Sequence, residues 1–187
     1  MRRWGDGVTA TLPPSADWRA FVTSRLTTPP PPSRLELMQE FYAHDTWQLL
    51  ACCILMSRVS SHAVKTNTVA AFFARCPTPT ALLQAPGEEL QRIMHPLGLF
   101  PGRMQSLVAL SRAFLEQPVF EAGLTPETKI YGVGEFGVAS FQIFCRGNVG
   151  ITPGDATLKA FVAWQRRHAA RAAGAQAEAA SSEEEDE

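Results

Sequence analysis

Asp155 is the residue whose surroundings best suit it to chemistry. It follows Pro153-Gly154 and precedes a stretch with Leu158 and Phe161 at helical spacing, so it stands at a helix start. A carboxylate there is kept ionised by the orphan amides of the first turn and by the helix dipole. At the mouth of a cleft it would stabilise positive charge on a sugar or activate a water. On spacing alone, an ordinary N-cap is the simpler role. The second feature is Ile130-Tyr131-Gly132-Val133-Gly134, a Gly-x-Gly turn between two helical segments. Such a turn exposes backbone amides at a helix start, where a phosphate oxygen is attracted. Without side chains, the glycines let a nucleic-acid backbone come close. A plain helix-to-helix turn fits the same pattern. A dinucleotide fold does not, because no strand precedes the glycines.

The elements that must position these residues read as helix after helix. Leu35, Leu37, Met38, Phe41 and Tyr42 make a short amphipathic segment. Asp45 caps a helix through Trp47, Leu49, Leu50, Cys53 and Ile54 that ends near Arg58, and Ser60 or Ser61 caps the next. Short helices follow at 80–84 and 87–94, and His95-Pro96-Leu97-Gly98-Leu99 breaks the pattern. Pro101 opens a longer helix through Leu107, Leu110 and Phe114. One or two helical turns are expected over 126–131, helix over 135–146, and a last helix from Asp155 to about Arg167. Alternation of β-branched residues is nearly absent, so the class is all-α. Residues 1–34, with four consecutive prolines at 29–32, read as an arm with a short helix near Asp17–Leu26. The folded body spans 35–170, and 171–187 reads as a disordered acidic tail.

Composition sets the outer limits. With 187 residues, 45% of them hydrophobic and 9% aromatic, the chain can bury one core of ordinary size. No apolar run approaches the ~18–20 residues of a membrane-spanning helix. Met1-Arg2-Arg3 is not followed by the apolar run of a secretory signal, so none is expected. Cys52, Cys53, Cys76 and Cys145 form no CxxC pair, and His44, His62, His95 and His168 do not cluster. Zinc and iron–sulfur ligation therefore find no support, and the thiols of Cys52, Cys53 and Cys145, in apolar helical runs, read as small buried side chains. The net charge of −1 conceals an asymmetry. Residues 171–187 hold one arginine against six carboxylates, and the remainder holds sixteen basic and twelve acidic residues. Fourteen of the seventeen basic residues are arginine. A mildly basic body permits an anionic partner without requiring one.

The two features gain meaning in sequence. A Gly-x-Gly turn, a helix with an aromatic end (Phe141, Phe144), a loop, then an Asp at a helix start is the order of the helix-hairpin-helix DNA glycosylases. The stretch from Leu35 to about Gln165 resembles the branch of that family that removes thymine from mismatches and, in animals, is joined to a methyl-CpG-binding domain. The resemblance runs through Leu37-Met38-Gln39-Glu40, His44-Asp45-x-Trp47-x-Leu49-Leu50, Ser57-Arg58-x-Ser60 and Pro96-Leu97-Gly98-Leu99. It continues through Tyr131-Gly132-Val133-Gly134-Glu135-Phe136-Gly137, Phe141-x-Ile143-Phe144-Cys145 and Pro153-Gly154-Asp155-x-x-Leu158-x-x-Phe161. No methyl-CpG-binding domain is expected in arms this short.

The resemblance implies a role for each matching residue. Asp155 becomes the carboxylate that stabilises an oxocarbenium-like sugar and assists the attacking water. The target base must first be flipped from the stack, which a weakly paired mismatch makes cheaper. Arg58 fills the space left by the flipped nucleotide and contacts phosphates, and Leu99 is an apolar wedge in the duplex. Gly132, Val133 and Gly134 hold the DNA backbone. Gln39 reads the pyrimidine edge with an amide that both donates and accepts. Phe136 stands where lyase-competent relatives carry a lysine able to form a Schiff base. It implies a glycosylase without lyase action; the animal relative has a tyrosine there. Glu135 replaces a lysine beside the phosphate-binding turn, and a carboxylate there is unfavourable unless it points away.

The implied substrate is double-stranded DNA with a mismatched or damaged base, handled by a monomer in the nucleus and away from membranes. No zinc and no iron–sulfur cluster is expected; a monovalent cation at the hairpin carbonyls is allowed by analogy. Two other readings compete. One is a catalytically silent helix-hairpin-helix module that only holds DNA. The other is an all-α interaction domain whose arm and tail recruit partners.

Overall fold

The computed structural model describes residues 33–184. The expected N-terminal arm, including its helix near Asp17–Leu26, lies almost entirely outside the described residues. Among those described, the chain is helical: α1 (Met38–Tyr42), α2 (Thr46–Met56), α3 (His62–Arg75), α4 (Pro79–Gln84) and α5 (Gly87–Met94) come first. A 3-10 turn (His95–Leu97) leads to α6 (Phe100–Glu116), then α7 (Glu135–Ser140), a wider π-type turn (Phe141–Cys145) and α8 (Ala156–Glu184). None of these helices is long and apolar enough to cross a membrane. The expected all-α class is what the structure shows.

The helix starts follow the expected chemistry. Asp45 Oδ1 accepts the Gln48 amide at 3.0 Å, Ser61 Oγ that of Val64 at 3.3 Å, and Thr78 Oγ1 that of Ala81 at 3.2 Å. Each satisfies an amide with no partner in its own helix. At the front of the described chain, the buried Glu40 carboxylate accepts the amides of Ser33 and Leu37 at 2.9 and 3.0 Å.

The core forms around α2, whose Leu49, Leu50, Ala51, Cys52 and Leu55 are fully buried. A helix apolar on every face must be enclosed, and α2 packs against α1, α3, α6 and α7. Trp47 closes the layer with its ring buried and its Nε1 donating to Ser111 Oγ at 2.9 Å. Phe120 joins the layers by packing on Phe114 and Phe141, with ring centroids 5.0 and 5.9 Å away. All four cysteines are buried thiols, as expected for Cys52, Cys53 and Cys145.

Three segments differ from the sequence expectation. Residues 126–131 form no helix. Gly123 and Lys129 meet in an isolated bridge, and Gly123 N donates to Thr128 O at 3.0 Å, which closes the segment as a loop. The helix after the glycine turn widens at its end, where Arg146 N reaches back five residues to Phe141 O. The wider turn buries Phe141, Ile143, Phe144 and Cys145 together. Finally, α8 does not stop near Arg167, and 171–184 is helix rather than a disordered tail. Alanine, the strongest helix former, fills eight of the twelve positions 169–180 and carries the helix past its last core contacts.

Asp45 has a measurable consequence. Burial pushes its carboxyl up from 3.8 to about 6, against the pull of the amides it caps. Folding therefore favours the protonated form. That contribution is complete below the unfolded value and is lost as pH rises through about 6. Asp45→Asn keeps a good N-cap and removes the titration. It should exceed the parent in stability at pH 7 by about 1–3 kcal/mol, and the gap should close near pH 4. Urea midpoints at both pH values measure it. The buried His44 ring is held below its ordinary value and acts in the opposite sense, but it is common to both proteins and cancels in the difference.

Candidate functional site

A cleft of about 690 Å3 opens between three elements. One wall is the end of α2 with Leu50, Cys53, Ile54, Ser57 and Arg58. The second is the start of α6, from Leu99 through Gly102, Arg103 and Ser106. The third is the glycine turn and α7, from Tyr131 to Gly137.

Two protruding residues stand on the first two walls. Arg58 is exposed just past α2, and Leu99 is 58% exposed just before α6. Both have left-handed backbones, with φ of 59° and 54°. Non-glycine residues hold that conformation at a cost of about 1–2 kcal/mol, so something must over-determine it. The buried Arg103 is that something. Its Nη1 donates to Ile54 O at 2.6 Å and Leu55 O at 3.0 Å, and its Nη2 to Ser57 O at 2.6 Å and Leu97 O at 3.2 Å. Its Nε donates to Gly98 O at 2.9 Å. One guanidinium thus satisfies the orphan carbonyls at the end of α2 and ties them to the loop carrying Leu99. Burial, with the nearby Arg58 charge, lowers the Arg103 pKa. Leu97, two residues before Leu99, is buried in the core.

The glycine turn is tight. Val133 N donates to Ile130 O at 3.0 Å, and Gly132 sits at φ 81°. A β-carbon there would lie 2.1 Å from Ser106 Oγ and 3.1 Å from the Ser106 α-carbon. Gly134 differs: its φ is −90°, and nothing lies within 4 Å of a β-carbon built on it. Gly134 O accepts Val138 N and begins α7. Val133 is buried beneath the turn, and Tyr131 is exposed above it. Phe136 is half-buried, packs on the core and presents to the cleft.

Gln39 and Asp155 are not among the residues lining the cleft. Gln39 is buried behind one wall, where its Nε2 lies 3.4 Å from Ser140 Oγ. The same Ser140 hydroxyl bonds Cys53, a cleft residue whose thiol burial pushes up to about 12. Asp155 caps α8 as expected, with Oδ1 accepting the amides of Thr157 and Leu158, each at 2.9 Å. Neither bond uses Oδ2. The loop before Asp155 meets the cleft lining at Glu135, since a β-carbon on Gly154 would sit 2.6 Å from Glu135 Oε1. The Glu135 carboxylate therefore points at the loop before Asp155.

Arg103 escaped the sequence reading. Its signal was an arginine in register with Leu107, Leu110 and Phe114 on the apolar stripe of α6. A charge on such a stripe must be paired or bonded when buried.

An all-helical body, a Gly-x-Gly turn between helices, and a cleft bounded by protruding Arg and Leu side chains define a class. Residues 51–184 match the HhH-GPD superfamily base excision DNA repair proteins, and the chain belongs to that family. Among curated proteins it is similar to the Methyl-CpG-binding domain protein 4-like protein of Arabidopsis thaliana. The two are 29% identical over 119 residues, which cover 64% of this chain and 25% of the relative. The chain therefore matches about a quarter of that relative's length. The match supports a DNA glycosylase of this class.

Proposed function

We propose that the protein is a monofunctional DNA glycosylase that excises thymine or uracil mispaired with guanine. The observation that carries the reading is the cleft itself. It sets exposed Arg58 and Leu99 on one side and the glycine turn on the other, and the loop that leads into Asp155 meets Glu135 on its rim. In this reading the turn amides hold the backbone phosphates, Leu99 wedges the stack, and Arg58 occupies the vacated space. Phe136 stacks on the flipped base, while Gln39, outside the cleft lining, backs the wall through Ser140 and does not reach the base edge. The bond from C1′ to the base nitrogen breaks with its electron pair leaving on the base. Asp155 stabilises the cationic sugar, and water adds to C1′ and loses a proton. The products are free base and an abasic site. The reading calls on no zinc and no iron–sulfur cluster, and it allows a monovalent cation at the hairpin carbonyls. The reading extends to a monomer acting on nuclear DNA.

Phe136 offers no amine, so no Schiff base forms and the strand stays intact. In single-turnover reactions on G·T, G·U and A·U duplexes, strand breakage should require alkali. Breakage without alkali would defeat the monofunctional assignment. One observation favours the silent DNA-holding module instead, namely that Asp155 does not line the cleft. Binding to mismatched duplex with no base release from any of the three would decide for it.

A further inference from the structure

We infer that Arg103 is the positioning residue that sets Arg58 and Leu99 together for entry into the duplex. The inference rests on the proposed duplex-opening function of the cleft. Arg103 touches neither DNA nor the reacting atoms in that scheme. It acts through carbonyls: Ser57 O precedes Arg58, and Leu97 O and Gly98 O precede Leu99. Both protruding residues are left-handed, so each relaxes to an ordinary backbone conformation once its neighbour's carbonyl is released. The two lie in separate elements, at the end of α2 and the start of α6, and the Arg103 guanidinium bonds carbonyls beside both. Arg103 holds their spacing as one unit. A lysine has one point of attachment in place of the planar fork, so Arg103→Lys keeps the charge and loses the geometry.

The test compares the parent with Arg103→Lys on three readouts. These are single-turnover excision from a G·U duplex, fluorescence of 2-aminopurine beside the mismatch as a report of unstacking, and binding to an abasic duplex, which needs no base flipping. The expected result is an excision rate about 100-fold lower with the 2-aminopurine signal lost and abasic binding retained. A merely structural role would lower all three in proportion to the folded fraction, and that result overturns the inference, as does an unchanged variant. Gly98→Ala serves if the lysine variant does not fold. Its φ of 67° is strained for alanine but its surroundings are open, so the same loop shifts while the buried guanidinium stays. It should reproduce the loss of unstacking with binding retained, and full unstacking by this variant counts against the inference. If the parent unstacks DNA but excises nothing, the glycosylase reading fails and the unstacking contrast still judges Arg103. If the parent does not unstack DNA, the inference itself falls.

Discussion

Asp155→Asn should retain the fold and the affinity for mismatched DNA while losing excision by about 100- to 1,000-fold. That is the range seen when one preorganised electrostatic group is removed from a reacting centre. The substitution is informative because of the cap. Asp155 Oδ1 accepts two amides at the start of α8, and asparagine carries an oxygen that does the same. The melting temperature should therefore stay near the parent value, since Asn and Asp cap about equally well. What disappears is the negative charge and Oδ2, the oxygen outside the cap. Asp155→Ala would lose both functions and could not separate them. Excision that survives in the Asn variant would return Asp155 to the rank of a helix cap. The charge that stabilises the sugar would then have to come from another group.

Gly132→Ala should be the most damaging single substitution in the turn, lowering stability by about 2–4 kcal/mol. Two costs add. Alanine at φ 81° is strained, and its β-carbon would collide with the side chain and the backbone of Ser106 on α6. Ser106 cannot rotate out of the way, because its own Cβ and Cα are among the atoms struck. Relief requires the turn to leave α6, which would open the cleft between them. Gly134→Ala is the control. Its φ is ordinary and the space around it is empty, so stability should hold within a few tenths of a kcal/mol. DNA affinity should nonetheless fall, because that empty space is where a phosphate would approach. Urea denaturation and mismatch-duplex titration on the two variants test the pair. Equal loss of stability would show that crowding at Ser106 is not what governs the turn.

These contrasts show how much was legible in the residues themselves. Asp45 and Asp155 announced their helices, and Ser60 or Ser61 announced another, because capping is local: a side chain and an amide two or three residues on are enough. The apolar spacing of α2 and α6 announced buried faces for the same reason. The expected loop at 95–99 and the turn at 130–134 stand where they were placed. The expectations that failed are also local in cause. Residues 126–131 offered Pro, Glu, Thr and Lys, which suit a helical turn, but Gly123 pairs across the loop instead. The tail was judged by its charges, while its alanines set its conformation.

What the sequence by itself determined is the class of fold, the helix starts, and the order of turn, helix, loop and carboxylate that marks the family. Those depend on propensity, periodicity and short-range hydrogen bonds. Only the tertiary structure decided which glycine of Gly132-Val133-Gly134 is irreplaceable, because that depends on Ser106, twenty-six residues earlier in the chain. It alone decided that Leu97 is core and Leu99 protrudes. It alone placed Gln39 against Ser140, 101 residues apart. And it alone gave Arg103 its task, since a guanidinium acquires meaning from five carbonyls on two elements that meet only when the core closes around α2.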